Sequence, residues 1–74
     1  MEGTNAMSLE VLIEEIIQMY CRIYHKPLDE GRATLVQSNF YQALSASNSE
    51  IATDSVEVNF VRFQNEIEYG NWHA

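Results

Sequence analysis

The sequence predicts an all-α fold, a small three-helix bundle that completes its core as a homodimer. Three observations carry this expectation. Apolar residues between positions 9 and 26 recur with helical spacing. The stretch around Asp54–Glu57 has the signature of a helix start, and Gly70 that of a helix stop. No second stretch reads as a strand with which residues 55–63 could pair. A chain of 74 residues supports one domain and buries only about 60% of the surface that its unfolded form exposes. That length excludes a doubly wound dinucleotide-binding fold or a (β/α)8 barrel. With 46% hydrophobic and 20% charged residues, the composition is that of a globular chain rather than a disordered one. Residues 1–7, polar and without periodicity, read as a flexible N-terminal arm. Residues 8–74 read as the single helical domain.

The first helix is predicted over residues 8–26, with Ser8 as its N-cap. At about 100° per residue, Leu9, Leu12, Ile13, Ile16, Ile17, Met19, Tyr20, Ile23 and Tyr24 fill one arc. Glu10, Glu14, Glu15, Gln18, Arg22, His25 and Lys26 take the remainder, with Val11 the one apolar intruder. Acids lie toward the start and bases toward the end, which suits the helix macrodipole. Pro27 stops the helix by disfavouring the α conformation at Lys26. Ile13, Ile16 and Tyr20 are expected among the most buried residues.

A second helix is predicted over residues 29–47. Asp29 is its candidate N-cap, with Leu28 and Ala33 in a hydrophobic-staple arrangement. Ala33, Val36, Phe40, Ala43 and Leu44 share one face, and Gln37, Ser38, Asn39, Gln42 and Ser45 form an uncharged outer face. Gly31 weakens the first turn by about 1 kcal/mol relative to alanine. Residues 45–49 read as a linker.

The third helix is predicted over residues 54–69. Val56, Phe60, Phe63 and Ile67 form its inner stripe, and Asp54-Ser55-Val56-Glu57 matches a capping box. The alternative is an α+β fold in which residues 55–63 form a strand, because Val56, Val58 and Phe60 alternate as a strand would. The alternation fails at Phe60-Val61.

Charge narrows the partners. Eleven acids against four bases give a net charge of −7, and five of the acids, with one base, fall in residues 50–74. Such a balance disfavours phosphate backbones and anionic lipid and suits a basic protein partner. No run approaches the ~18 apolar residues of a membrane span, and residues 1–8 lack the basic stretch of a secretory signal. Cys21 is the one cysteine. A cytoplasmic protein without a membrane partner is expected.

Chemistry-bearing constellations are sparse. Cys21 and His25 stand four apart, but a structural zinc site needs four ligands and His73 is the only other soft one. Glu10, Glu14 and Glu15 lack the apolar surroundings that raise a carboxyl pKa for acid–base work. Gly3, Gly31 and Gly70 begin no phosphate loop. The expectation is no enzyme, no cofactor and no metal. Thr34–Leu44 has the amide-rich face of a recognition helix, but few phosphate-binding bases flank it. Nor do the carboxylates fall on one surface as a DNA mimic requires. A nucleic-acid-related role is therefore the alternative rather than the leading reading.

The positive signal is an apolar surplus. The third helix carries a second stripe, Val58, Val61 and Tyr69, on the side away from Val56 and Phe60. The first helix has an arc wider than one neighbour covers, with Leu12, Met19 and Ile23 on its flank. These six residues are the predicted partner or dimer interface. The leading expectation is a small acidic protein–protein interaction module, a regulator, inhibitor or antitoxin-like binder, with a second copy of itself and another protein as partners.

Overall fold

The first helix, α1, spans Leu9–Tyr24 and begins as its sequence predicts: Ser8 is extended and its hydroxyl accepts a hydrogen bond from the Val11 N–H. The computed structural model describes residues 8–46 and 50–73. The arm expected over residues 1–7 lies outside them, as do residues 47–49 of the expected linker and residue 74. The helix ends at His25, whose φ of 58° is left-handed, a conformation that histidine enters more readily than bulky residues do. Leu12, Ile16, Ile17 and Tyr20 are buried. Ile13, expected among the most buried, is only partly buried, packed against the edge of the core rather than enclosed by it.

The predicted second helix is two helices. α2 spans Leu28–Val36 and α3 spans Asn39–Leu44, so the bundle has four α-helices among the described residues, together with a 3-10 turn at Ile51–Thr53. The break is at Ser38, which is extended (φ −82°, ψ 153°) and caps α3 by accepting from the Tyr41 N–H. Its hydroxyl also donates to the Leu35 carbonyl, at 2.6 Å. The break resets the helical phase. Gly31 and Leu35 face the core from α2, and Phe40 and Leu44 from α3. Ala33 and Val36, placed on the inner face by a continuous wheel, are exposed. The expected start also shifts. Pro27 is the first cap, its carbonyl accepting from the Gly31 N–H, while the Asp29 side chain accepts from the adjacent Glu30 N–H. Leu28 and Ala33 are exposed and form no staple.

The last helix, α4, spans Val56–Tyr69. Residues 56–63 are therefore helical, with Ser55 their cap, and the described residues contain no strand. Ser55 rather than Asp54 is the N-cap, accepting from the Val58 N–H. Gly70, at φ 77°, closes the helix by donating to the Glu66 carbonyl. The left-handed value explains why glycine stands there.

α1 packs against α2 and α4, and α3 packs against α2 and α4. Arg32 on α2 meets Glu14 on α1 at 2.7 Å, and Gly31 packs against Ile17, Tyr20 and Cys21, so α2 is held against α1. Tyr20 meets Phe63 (ring centroids 5.5 Å apart), and one turn later Tyr24 reaches Glu68, so α1 and α4 are parallel. Phe40 stacks on Phe63 at 6.1 Å and receives the edge of Trp72 at the same separation. These rings join Leu12, Ile16, Ile17, Leu35, Leu44 and Phe60 in one core.

Gly31, a weak point by helix propensity, packs directly against α1. A Cβ on residue 31 would stand 2.7 Å from Cys21 Sγ and 3.2 Å from Tyr20 Cδ2. The sulfur is positioned by donating to the Pro27 carbonyl, 3.4 Å away. Gly31→Ala gains about 1 kcal/mol of helix propensity against an overpacking cost of about 1–3 kcal/mol. The expected outcome is net destabilisation in the wild-type background, becoming neutral or stabilising with Cys21→Ala. Urea melts of the double-mutant cycle measure this; equal effects in both backgrounds would show that the sulfur is not the obstacle.

Candidate interaction surface

α4 has two faces of different character. Val56, Phe60 and Phe63 turn toward the core, and Val58, Val61 and Tyr69 turn the other way. These last three are 45%, 52% and 70% exposed. Along the helix they follow an i, i+3, i+11 spacing, which keeps them on one side. Glu57 and Glu68 fall on one edge of this strip. On the other edge Arg62 is tied back into the fold, its guanidinium 2.8 Å from Asp54 and 2.9 Å from the Asn59 side-chain oxygen.

Of the predicted interface residues of α1, only Ile23 shares this exposure. Leu12 is 1% exposed and belongs to the core of the single chain. It is corrected from interface residue to core residue, because α1 presents its Leu12 side inward when helices on both flanks pack against it. Met19 is half-buried against the core. Ile23 is 49% exposed near the end of α1. The candidate surface therefore reduces to the outer strip of α4, with Ile23 a separate exposed residue.

The edge near Glu68 is organised by hydrogen bonds. The Tyr24 hydroxyl donates to Glu68 Oε2 at 3.1 Å and accepts from the Gln64 amide at 3.5 Å. The Tyr24 pKa lies above the usual tyrosine value. Burial of the ring oxygen is the largest cause; the Gln64 donor opposes it, and the Glu68 carboxylate and Tyr20 reinforce it.

Three residues outside the sequence reading position this helix. Asn59 is fully buried near the start of α4, and its amide donates to the Ile51 carbonyl at 2.8 Å and to those of Asp54 and Ser55 at 3.3 Å. With Arg62 on its oxygen, Asn59 fastens the 3-10 turn to α4. Glu66 turns away from Glu57 and Glu68 and accepts from the N–H groups of Asn39 and Phe40, each at 2.7 Å. A polar residue on the inner side of an amphipathic stripe is the one sequence signal that would have marked Asn59.

Between the end of α2 and the second half of α4 lies a groove of about 270 Å³ lined by Thr34, Gln37, Ser38, Phe63, Glu66 and Ile67. Among the described residues no three His, Cys, Asp or Glu side chains gather as metal ligands would, and no helix is long and apolar enough to cross a membrane. The break at Ser38 divides the Thr34–Leu44 face, so Gln37 ends α2 while Asn39 and Gln42 lie on α3. Compared with protein-family models, curated proteins and solved structures, the chain matches none.

The raised Tyr24 pKa has a consequence above neutrality. The folded state keeps the phenolic proton to higher pH than the unfolded chain, whose value is about 10.0. The stability linked to this proton is therefore complete below that value and is lost as pH rises through the folded-state pKa. Urea midpoints followed from about pH 9 to about pH 11 should fall less steeply for Tyr24→Phe than for wild type. Parallel slopes would remove Tyr24 as the source.

Proposed function

We propose that this protein is a small acidic protein–protein interaction module, a cytoplasmic regulator of the inhibitor or antitoxin-like kind rather than an enzyme. It pairs with a second copy of itself through the outer face of α4 and binds another, basic protein elsewhere on its surface. The observation that carries the reading is the outer strip itself. Val58, Val61 and Tyr69 lie on the side of α4 opposite its core contacts, about half to two-thirds exposed. Water-exposed apolar side chains aligned on one helix face are stabilised by a matching face. A two-fold mate is the commonest way to supply one.

Size sets the strength. Such a strip is on the order of a few hundred Å², near the largest patch of an ordinary monomer. It is smaller than the ~800 Å² per partner of a standard interface. The pairing is accordingly weak and concentration-dependent. The net charge of −7 on each copy works against it at low salt, so added salt strengthens it.

The nucleic-acid alternative has less support. A DNA mimic needs its carboxylates arrayed outward, and Glu66 is engaged at the start of α3. A helix-turn-helix reader needs a continuous recognition helix, and α3 has six residues.

Sedimentation equilibrium from low micromolar to submillimolar concentration tests the reading. Wild type should move from the 8.5 kDa monomer mass toward twice that, and Val58→Glu/Val61→Glu should remain monomeric with unchanged circular dichroism. A wild-type protein that stays monomeric throughout would sink the proposal, as would a double variant that dimerises at wild-type strength.

A further inference from the structure

The groove between α2 and α4 differs from the outer strip in position and chemistry. Its apolar wall is Ile67, with Phe63 beneath, and its polar groups come from both helices. From α4 comes the Glu66 carboxylate, which spends one lone pair per oxygen on the Asn39 and Phe40 N–H groups. A carboxylate offers about four acceptor sites, so about half of them remain. From α2 come the Thr34 hydroxyl and the Gln37 amide, neither of which has a side-chain hydrogen bond among the described residues. Ser38 is already committed to Leu35 and Tyr41.

The lining carries one anionic side chain and no cationic one. At about 270 Å³ it falls just short of the ~300–1,000 Å³ usual for drug-sized ligands and suits a single long side chain. The net charge of −7 attracts basic partners over a distance. Acceptors therefore converge from two helices on an apolar-walled slot, in a protein that draws in cations.

We propose that this groove seats an arginine side chain of a basic partner protein, the aliphatic stem against Ile67 and the guanidinium bonded to Glu66, Thr34 and Gln37. Arginine fits better than lysine because the acceptors are spread along both walls. A guanidinium reaches several at once through five planar N–H donors, whereas an ammonium is a point charge with three. Glu66 thereby has two roles, holding α3 with one pair of acceptor sites and facing the partner with the other. The site is independent of the α4 strip and of dimerisation.

The test uses the full chain and blocked tripeptides, acetyl-Ala-X-Ala-amide with X as arginine, lysine or citrulline, titrated in amide proton–nitrogen correlation spectra. The arginine peptide should move the signals of Thr34, Ile67 and the Gln37 side-chain amide. Citrulline, the same shape without the charge, should bind roughly tenfold more weakly, the loss of about one charge-assisted hydrogen bond, and lysine should bind more weakly than arginine. Gln37 and Ile67 are exposed, so their variants keep the fold, as dispersed spectra would verify. Ile67→Lys, which sets the chain's own cation in the groove, should abolish the shifts, and Gln37→Ala should reduce them. The Val58→Glu/Val61→Glu variant should bind as wild type does, which separates this site from the dimer. The proposal is overturned by shifts confined to other acidic surfaces, by equal binding of all three peptides, or by binding that survives Ile67→Lys.

Discussion

The fold depends on how the start of a six-residue helix is satisfied. α3 is far shorter than the ~12–15 residues at which isolated helices become even marginal in water, and its first N–H groups have no partners within the helix. Two side chains answer for them. Ser38 takes the Tyr41 N–H, and Glu66, twenty-six residues from Phe40, takes those of Asn39 and Phe40. The Glu66 contact is charge-assisted and worth roughly 1–3 kcal/mol in cap terms. It also fixes where α3 sits against α4. Phe40 follows the capped turn directly into the core between Phe63 and Trp72. Ser38 turns the chain locally, and Glu66 fixes the turned segment against α4.

A second polar clasp does the same for the other end of α4. Asn59, buried and bonded through both its oxygen and its nitrogen, ties the Ile51–Thr53 turn to the helix, and Arg62 closes the arrangement through Asp54. Leaving a buried amide unpaired costs more than forming the bond gains, so Asn59 specifies this connection rather than merely tolerating it. The exposed pairs are a different matter. Arg32–Glu14 and Lys26–Glu30 are each about half exposed, and such pairs contribute at most a few tenths to about 1 kcal/mol. Stability rests on the ring cluster and on the two clasps.

These features explain what was legible in the sequence. α1 was readable nearly to the residue because periodicity, cap and charge order agree along one uninterrupted helix. The inner residues Phe60 and Phe63, the outer strip of α4 and the Gly70 stop were readable for the same reason. The second helix was misread because Ala33, Val36, Phe40 and Leu44 happen to align on a continuous wheel. Leu35, which that wheel puts nearly opposite Ala33, was the discordant residue; it is fully buried, while Ala33 and Val36 are exposed. The break is capped by Ser38 and anchored by Glu66, the latter a contact across the fold that no local pattern encodes. The same holds for Gly31, whose low propensity is local while its close approach to Cys21 is tertiary. Leu12 was drawn into the candidate interface because an arc on one helix does not reveal how many neighbours will cover it.

The functional reading follows from this division of labour. With Glu66 and Asn59 turned inward, α4 is held rigidly enough to present Val58, Val61 and Tyr69 as a fixed surface, and the placement of α3 shapes the groove beside α2. The central claim is thus that Glu66 organises α3. Native-state amide hydrogen exchange tests it most directly. In wild type the Asn39 and Phe40 amides should be protected although they begin a short helix. In Glu66→Ala they should exchange faster by roughly an order of magnitude or more, while Tyr41, served by Ser38, keeps more of its protection. Free exchange at Asn39 and Phe40 in wild type, or protection that Glu66→Ala leaves intact, would contradict the account.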